Sequence, residues 1–417
     1  MPLSRVLNPR RWAVPAATLL VGILLGAGGG IFADQSYPDY VPTLGLGHSR
    51  GHLDQATLDQ ALRIIQARYY DPKLDYHKLS NGTVQGLVQA LGDPYTTYLS
   101  ADQFKSQQDS YAGRHTGVIG IYVSFDGTYP TVSGLVPGSP AQRAGLRTGD
   151  VILTIDGKDA RGLTADQTAV LIRGPVDTAV LLGLRRGEQT LSVSVQRGSF
   201  ASPMVVSTVL DSSVLYLRVY QFGADTQSEF DAQLKSELPG ARGVVLDLRE
   251  NPGGYIDAAT AMISRFLADG EAYELRDRTG AIDRRLVNGE HPATSVPLVV
   301  LVNGSTASAA EIVSGSLQAR HRAQLLGGKT FGKGSVQVDF QLSDGSDLHL
   351  TIEHWFLPDG RQVDKVGLQP DVAVDLGSPS DMFDVVQPTL GHDHDTQLNR
   401  ALSILEGRST GAVSSAG

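Results

Sequence analysis

Between about Phe200 and Asp375, short apolar segments of strand length alternate with helical patterns. This alternation constrains the fold more than any other feature of the sequence. The strand-like runs are Val214 to Val219, Gly243 to Leu248, Leu298 to Val302 and Gln324 to Leu326. The helical patterns are Thr226 to Leu238, Ile256 to Ala268 and Ala307 to Ala319. Strand followed by helix, repeated along the chain, predicts an α/β layer around a largely parallel central sheet.

The segments that follow these strands are the places to look for chemistry, because open α/β sheets form sites at the carboxyl ends of their strands. The unusual ones are VVLDLRENPGG at 244–254, VLVNGSTASAAEI at 300–312 and LLGGKTFGKGS at 325–335.

Ser308, in the second of these segments, is predicted to lie in the first turn of a helix capped by Ser305 or Thr306. Unpaired N–H groups and the helix dipole favour developing negative charge there, and the N–H of Ala309 could serve an oxyanion. The alternative is that these residues only cap a helix and allow close packing among alanines.

Lys333, in the third segment, stands between Gly332 and Gly334. A lysine that acts as a general base near neutral pH needs a pKa well below its ordinary value, and burial in a dry cleft supplies that change. The two glycines would let the lysine backbone pack close to the serine helix. Gln337, an even number of positions further along a predicted strand, projects to the same side as Lys333. Its amide could accept a hydrogen bond from the lysine and orient it without adding a charge.

The turn NPGG at 251–254 supplies a third part of a site. A pair of glycines between a strand and a helix frees a backbone N–H to point at a ligand, which is how an oxyanion hole is built. Gly253 and Gly254 are therefore candidate donors. The turn could equally be only a tight connection between strand and helix.

Four other features of this part of the sequence are interpreted as structural or as weak evidence for a functional site. Asp247 lies in an apolar strand and is predicted to pair with Arg249, and Glu311 suits the dipole of the serine helix. The sequence GGKTFGKGS begins like a phosphate-binding loop, but glycine stands where that loop needs Ser or Thr. The run His392 to Asp395 could hold a metal, but it lies in a polar tail.

Residues 116–199 differ in character, because short β runs there alternate with glycine turns and predict an independent β-rich module. Within it, GSPAQRAGLRTGDVILTIDG at 138–157 predicts a short helix that stops at Gly145, followed by a turn and a strand. This stretch resembles a PDZ domain, and the resemblance covers the module from end to end.

PDZ domains bind the carboxyl end of a peptide by adding it to a sheet as a strand, and backbone N–H groups capture its carboxylate. The resemblance assigns the carboxylate loop to Val118, Ile119, Gly120 and Ile121, although the family usually has glycine at the first of these positions. It also implies that Arg173, in LIRGP at 171–175, reports peptide binding to the rest of the protein. A module used only as a spacer, with Arg173 a solvated turn residue, is the alternative.

The amino-terminal part of the chain contains an apolar segment and a helical region. Trp12 to Ala33 carries no charged residue and follows Arg5, Arg10 and Arg11, which predicts an uncleaved membrane-spanning helix with the remainder outside the cytoplasm. A cleaved signal peptide is the rival interpretation. Leu53 to about Gln108 shows helical spacing of apolar residues, broken at Asp93-Pro94.

The composition excludes several classes of function. The chain has 417 residues and a net charge of -9, without a basic run, so we expect no nucleic-acid partner. It has no cysteine, which excludes a thiol nucleophile, a disulfide framework and a thiolate metal site. No H-E-x-x-H pattern occurs and no G-x-S-x-G elbow surrounds Ser308, so zinc proteases and Ser/His/Asp hydrolases are disfavoured.

Together these motifs resemble the carboxy-terminal processing peptidases, PDZ-containing serine proteases of the Ser/Lys type in family S41. The resemblance runs from about Leu53 to Asp375 and includes LGDPYTTYLSADQF at 91–104 and FLPDGRQVDKVGLQPD at 356–371. It implies a multidomain α/β protein with a protease core of the ClpP/crotonase type, a PDZ domain and a small helical region. It also implies that Ser308 is the nucleophile, Lys333 the base, Gln337 its orienting partner, and Ala309 with Gly253 or Gly254 the oxyanion hole. The sequence departs from the family pattern at Glu250, commonly asparagine, and at Ala310, frequently serine.

On this basis the predicted divisions are a cytoplasmic end, an anchor, a linker, a helical region, the PDZ domain, the protease core, and a final helix with a flexible tail. They cover residues 1–11, 12–33, 34–50, 51–110, 111–199, 200–376 and 377–417, respectively. The expected partners are polypeptides with apolar carboxyl ends and the membrane, with no cofactor and no metal. The oligomeric state is left open, a homo-oligomer included. A catalytically silent, anchored binding protein is the alternative function.

Overall fold

The computed structural model describes residues 53–125, 127–210, 213–289, 292–378, 381–385 and 391–407. The chain divides into two compact units, 1–78 and 79–417. The first contains helix α1 (Gln55–Arg68), whose first turn is capped by the Asp54 carboxylate at 3.1 Å from the Thr57 N–H. The apolar residues predicted to line one face of this helix remain more than a third exposed: Leu58, Leu62 and Ile65.

The single-pass membrane localisation predicted from the sequence is contradicted. No helix within the described ranges is both long enough and apolar enough to cross a bilayer. The prediction rested on the uncharged segment 12–33 and the arginines before it, and these residues, like the linker at 34–50, lie outside the described residues.

The second unit opens with helices, a short strand and a β-rich module. Its first elements are α2 (Tyr76–Gln89), which starts just before the unit boundary, β1 (Thr97–Leu99) and α3 (Ala101–Tyr111). The module comprises β2 (Arg114–Val118), β3 (Ile121–Phe125), β4 (Pro130–Leu135), α4 (Pro140–Arg143), β5 (Val151–Ile155), β6 (Lys158–Asp159), α5 (Ala165–Ile172), β7 (Ala179–Arg186), β8 (Gln189–Gln196) and β9 (Gly198–Ala201).

One sheet of this module has the order β3-β4-β5-β7-β8, with β6 against β5. A separate pairing of β2 with β9 brings the two ends of the module together. The core is aliphatic and includes Ile119, Val132, Leu146, Ile152 and Leu182. The short helix and the stop at Gly145 that the sequence predicts are present, since α4 ends at Ala144 and Gly145 has φ of 78°.

The next elements include every strand and helix predicted for this region, together with strands at 271–277 and 282–286 that the sequence did not indicate. They are β10 (Val205–Leu210), β11 (Val214–Val219), α6 (Thr226–Glu237), β12 (Gly243–Asp247), α7 (Ile256–Phe266), β13 (Glu271–Asp277), β14 (Ile282–Leu286), β15 (Leu298–Val302), α8 (Ala309–Ala319), β16 (Gln324–Gly327), β17 (Ser335–Gln341), β18 (Asp347–Phe356), β19 (Val372–Ala373) and α9 (Thr396–Leu405).

The central sheet has the order β10-β11-β12-β15-β16-β19 and is parallel except for the pairing of β10 with β11. Every residue of β12 and β15 is buried, because apolar clusters cover both faces of the sheet. A second, antiparallel sheet has the order β1-β18-β13-β14, with β17 against β18. Its strands carry one wall of the site described below.

The end of the chain contributes to the core more than its polar composition indicates. Helix α9 has the bounds predicted from the sequence, and Leu398, Ala401 and Leu402 belong to the cluster beneath the central sheet. Asp395, in the run considered for a metal, is instead fully buried and paired with Arg249 at 2.8 Å. The tail after residue 407 lies outside the described residues.

Candidate active site

A cleft at the carboxyl ends of the parallel strands brings together the residues predicted to carry chemistry. Ser308, Lys333, Gln337 and Gly254 all line it, although they come from separate segments of the chain. Its empty volume is about 570 Å³, and its remaining walls come from Tyr111, Pro252, Tyr255, Ile256, Ser335, Val336, Asp339 and His349. The predicted convergence of these segments is therefore present in the fold.

Ser308 occupies the residue immediately before α8, and not the first helical turn that the sequence predicts. Its φ of 54° and ψ of -120° place a residue with a side chain in a region that favours glycine. Backbone strain of this kind persists only where the surrounding contacts enforce it, and it is common at functional sites. The elbow presents Ser308 to the cleft, whereas the neighbouring Ala309 is fully buried.

Glu311 holds the serine elbow and the lysine turn in one arrangement. Its Oε2 accepts hydrogen bonds from the backbone N–H groups of Ser308 at 3.0 Å and Lys333 at 2.8 Å. Its Oε1 accepts from the Gly332 N–H at 2.8 Å and from the Thr330 hydroxyl at 2.6 Å. Burial raises the pKa of this carboxyl, and the hydrogen bonds it accepts act in the opposite direction. Sequence reasoning assigned Glu311 only to the helix dipole, because the lysine turn that it contacts is distant along the chain.

Lys333 lies half-buried in the cleft. Burial lowers the pKa of its amine, while the charges of Asp93 and Glu311 raise it in part. The amine lies 5.2 Å from the ring centroid of Tyr95, and the Lys333 carbonyl accepts a hydrogen bond from the Trp355 indole at 3.0 Å. No hydrogen bond joins the amine to the Ser308 hydroxyl. Catalytic hydrogen bonds are often long in unliganded sites and shorten when substrate binds.

The glycines on either side of Lys333 pack against a neighbour that the sequence did not indicate. A Cβ on Gly332 would lie 2.8 Å from the Gly367 nitrogen, and a Cβ on Gly334 would lie 2.6 Å from the Asp364 Cβ. Residues 364–367 therefore occupy the space that a side chain would need at these two glycines, while the backbone N–H groups of Gly332 and Lys333 also reach Glu311 on the serine helix, as predicted. The signal for the approach of residues 364–367 was FLPDGRQVDKVGLQPD, whose contact with the lysine turn follows only from the tertiary fold.

Gln337 lines the cleft with Lys333, but its amide is engaged elsewhere in this state. Its Nε2 donates to the Ser335 hydroxyl at 2.8 Å and to the Thr351 hydroxyl at 3.0 Å. The pairing of β17 with β18 shifts register between Val336 and Gln337. The strict alternation predicted for this strand is therefore interrupted at the position that matters most, because a bulge turns the following side chains.

The NPGG turn packs directly against the serine elbow. A Cβ on Gly253 would lie 2.8 Å from the Ser308 Cβ and 2.9 Å from the Ala309 nitrogen. The Gly253 N–H donates to the Asn251 side chain at 2.8 Å, and the Asn251 carbonyl accepts from the Ala307 N–H at 3.0 Å. Only glycine fits this approach, and the turn is held in register with the elbow.

A buried ion-pair network supports the strand that leads into this turn. Arg249 pairs with Asp247 at 2.6 Å and with Asp395 at 2.8 Å, and it also donates to the Gln397 side chain at 3.0 Å. The Tyr216 hydroxyl donates to Asp247. The predicted pairing of Asp247 with Arg249 is present, and sequence reasoning missed the contribution of Asp395 from the end of the chain.

The β-rich module presents the features needed to add a peptide strand. Strand β3 is the edge strand of its sheet, and it follows directly on the predicted carboxylate loop at Val118 to Ile121. Apolar side chains on β3 and α5 are exposed, including Phe125 at 37% and Val170 at 73%. Arg173, the residue that follows α5, is exposed. Burial lowers the pKa of His115, and the charge of Arg173 lowers it further.

Comparison with known proteins identifies the family. The chain is 34% identical over 322 residues to the carboxy-terminal processing protease CtpA of Bacillus subtilis (strain 168), covering 76% of this chain and 68% of the relative. It is 32% identical over 381 residues to a probable CtpA-like serine protease of Staphylococcus aureus (strain MSSA476), covering 89% and 74%. The chain belongs to peptidase family S41.

Family descriptions match separate parts of this S41 peptidase. "Peptidase family S41" matches residues 213–374, "PDZ domain" matches 131–186, and "Activating protease CtpB N-terminal domain" matches 47–103. The solved photosystem II D1 C-terminal processing protease has 28% identity and a TM-score of 0.55, covering 84% of this chain and all of that structure. A putative S41 protease from Bacteroides fragilis NCTC 9343 has a TM-score of 0.58 at 19% identity and supports the fold. The predicted family and fold class and the assignment as a serine-type peptidase with a PDZ domain are thus confirmed.

Proposed function

We propose that this S41 peptidase cleaves polypeptides near their carboxyl ends with Ser308 as nucleophile and Lys333 as general base. The observation that carries the proposal is Glu311, which accepts hydrogen bonds from the backbones of both residues and so fixes the serine elbow relative to the lysine turn. Burial lowers the pKa of Lys333, which favours the neutral amine that a base requires.

The reaction uses the two side chains in sequence. The Lys333 amine takes the hydroxyl proton of Ser308 while the oxygen attacks the scissile carbonyl carbon. The peptide C–N bond then breaks, the leaving amine receives the proton, and an acyl ester remains on the serine. Water hydrolyses the ester with Lys333 again acting as the base. Gln337, on the same cleft wall, would orient the amine once its own amide turns from Ser335 and Thr351 toward the lysine.

Backbone N–H groups of Ala309 and Gly254 are the proposed donors to the oxyanion. Ala309 begins α8, where the helix leaves its first N–H groups without intrahelical partners. Of the two glycines named from sequence, Gly253 already donates to Asn251, whereas the Gly254 N–H meets no acceptor among the described residues. Gly254 also lines the cleft beside Ser308.

The PDZ domain is proposed to supply the substrate by binding an apolar carboxyl end along β3. The open edge of β3 offers backbone groups for strand addition, and Phe125 and Val170 offer apolar contacts for side chains. Arg173, at the end of α5, would then sense occupancy of the groove. The predicted boundaries, 111–199 for the PDZ domain and 200–376 for the protease core, fit peptide binding by the first domain and cleavage by the second. They remain a prediction.

Cleavage of an unstructured polypeptide with an apolar carboxyl end tests the catalytic assignment. Ser308→Ala and Lys333→Ala should each lower kcat by roughly 10⁴-fold or more, because each removes a group that acts as part of a unit. Lys235→Ala, at an exposed lysine on α6 outside the cleft, is the matched control and should cleave normally. Wild-type turnover in Ser308→Ala or Lys333→Ala would overturn the assignment of these two residues as a catalytic dyad of nucleophile and base.

A further inference from the structure

A cluster of ionisable side chains outside the proposed dyad lies in the wall of the same cleft. Asp339, on β17, faces His349 across the strand pair, and Asp347 lies two residues before His349 on β18. One potential ligand atom from each of these residues lies within 4.8 Å of the other two. The proteolytic mechanism proposed above uses none of the three.

Asp347 is the unusual member of the cluster. It is fully buried, at 0% exposure, and its carboxylate accepts no hydrogen bond from an N–H or neutral hydroxyl donor among the described residues, the neighbouring Asp339 carboxyl being its one side-chain contact of this kind. Nearly all buried polar side chains in proteins are hydrogen-bonded, and a buried carboxylate without a donor or a counter-charge is costly. The residue therefore lacks the partner that its position requires.

The surroundings of Asp347 point to a cation as that partner. The neighbouring Asp339 adds a second negative charge, and the His349 ring lies 2.6 Å from it through Nδ1. No arginine or lysine forms an ion pair with Asp339 or Asp347 in the part of the chain that the structure describes.

We propose that Asp339, Asp347 and His349 form a binding site for a divalent transition-metal cation, Zn²⁺ first among them, in the wall of the catalytic cleft. An imidazole with two carboxylates suits zinc and its neighbours, whereas Ca²⁺ and Mg²⁺ favour sites made of oxygen alone. Asp339 and His349 line the cleft, so the ion can enter from it and keep an open coordination position towards it. The ion would also tie β17, which carries Gln337, to β18.

Calorimetric titration of the metal-free full-length protein with ZnCl₂ tests the site. Wild type should bind one ion at this site, and Asp347→Asn and His349→Ala should each weaken that binding by at least about 10-fold. Glu353→Gln, which changes a carboxylate on the same strand outside the cluster, should bind as wild type does. Absence of zinc binding to wild type, or equal binding by wild type and both cluster variants, would overturn the proposal.

Two further measurements separate this site from other histidines in the chain. Co²⁺ bound by a nitrogen and oxygen donor set should give visible absorption bands in wild type and in Glu353→Gln, and these bands should be lost in both cluster variants. Zinc should also raise the Tm of wild type and not that of Asp347→Asn, whose own fold is checked by circular dichroism. If Asp347→Asn does not fold, His349→Ala carries the test, because its side chain is partly exposed. Loss of proteolysis in Ser308→Ala leaves these outcomes unchanged, so the two proposals fail independently.

Discussion

The carboxylate of Glu311 accepts a hydrogen bond from the backbone N–H of Lys333 at 2.8 Å, although the two residues lie 22 positions apart in the chain. The same oxygen accepts from the Ser308 N–H at 3.0 Å. A single buried side chain therefore sets the distance between the proposed nucleophile and the proposed base. The geometry of the site depends on this contact as much as on the two residues that it positions.

Glu311→Gln should impair catalysis and stability together. An amide nitrogen in place of one carboxylate oxygen would face backbone N–H donors, so buried donors would lose their acceptor at a cost of about 1–3 kcal/mol each. We expect a lower free energy of unfolding in urea and a lower kcat with a nearly unchanged KM. Glu188→Gln, on an exposed turn of the PDZ domain, controls for the loss of a carboxylate and should change neither. Wild-type kcat in Glu311→Gln would show that the Glu311 carboxylate does not position Ser308 and Lys333 for catalysis.

The acid limb of kcat/KM should report the amine of Lys333. Burial lowers the pKa of this group, so the neutral base is present above the lowered value and activity falls as the pH drops through it. Gln337→Glu places a carboxylate on the same cleft wall, which favours the ammonium and should move the limb to higher pH. A limb that is flat, or that stays in place in Gln337→Glu, would contradict a neutral lysine base.

The free energy of unfolding should change with pH in a direction that the lowered pKa of Lys333 determines. Between the lowered folded pKa and the ordinary value of 10.5, the unfolded chain holds the proton and the folded chain does not. Wild type should therefore lose stability as the pH falls through this window and become insensitive below it. Lys333→Met, which cannot titrate, should lack this component when urea unfolding of both proteins is followed across the range. Parallel curves for the two proteins would be the contrary result.

Gly253→Ala should disable the oxyanion hole by steric conflict. The new methyl group would lie 2.7–2.9 Å from atoms of Ala307, Ser308 and Ala309, so the elbow must move. Loss of one oxyanion donor typically lowers kcat by roughly 10²–10³-fold. Gly240→Ala is the matched control, because its φ of 90° is close to the 97° of Gly253 but its Cβ meets nothing within 4 Å. The control should show the backbone strain alone, as a small loss of stability with normal kcat.

Arg249→Met should destabilise the core far more than the loss of a surface ion pair. Removing the guanidinium leaves Asp395 buried without its counter-charge and leaves Asp247 with only the more distant Arg218, at 3.8 Å, which costs about 3–5 kcal/mol. Arg361→Met breaks an exposed pair with Asp359 and should cost about 0–1 kcal/mol. Urea unfolding measures both changes. Similar losses of unfolding free energy in the two variants would show that the ion-pair network does not link α9 to β12.

Much of the site could be located from the sequence because strand ends and glycine turns are local signals. Hydrophobic periodicity predicts the strands and helices of the central layer between β11 and α8, although not β13 and β14, which belong to the second sheet. Parallel strands must present their carboxyl ends at the same edge of the sheet. These signals place Ser308, Lys333 and Gly254 at the same edge of the sheet. The helical pattern from Thr396 to Leu405 likewise predicts the bounds of α9, whereas the capping by Asp395 is seen only in the structure.

The tertiary structure alone decided how these parts are joined. Glu311 and Asp395 look like ordinary acids of helix starts, and their partners became visible only when distant segments met in the fold. The bulge at Gln337 and the approach of residues 364–367 to the lysine turn likewise depend on packing between elements. Local sequence patterns record the intrinsic preferences of the chain and its apolar faces. The partners of buried charges and the close backbone contacts depend on which segments the completed fold brings together. The sequence therefore determined the family, the central sheet and the catalytic candidates. The tertiary structure determined the contacts that hold those candidates in place.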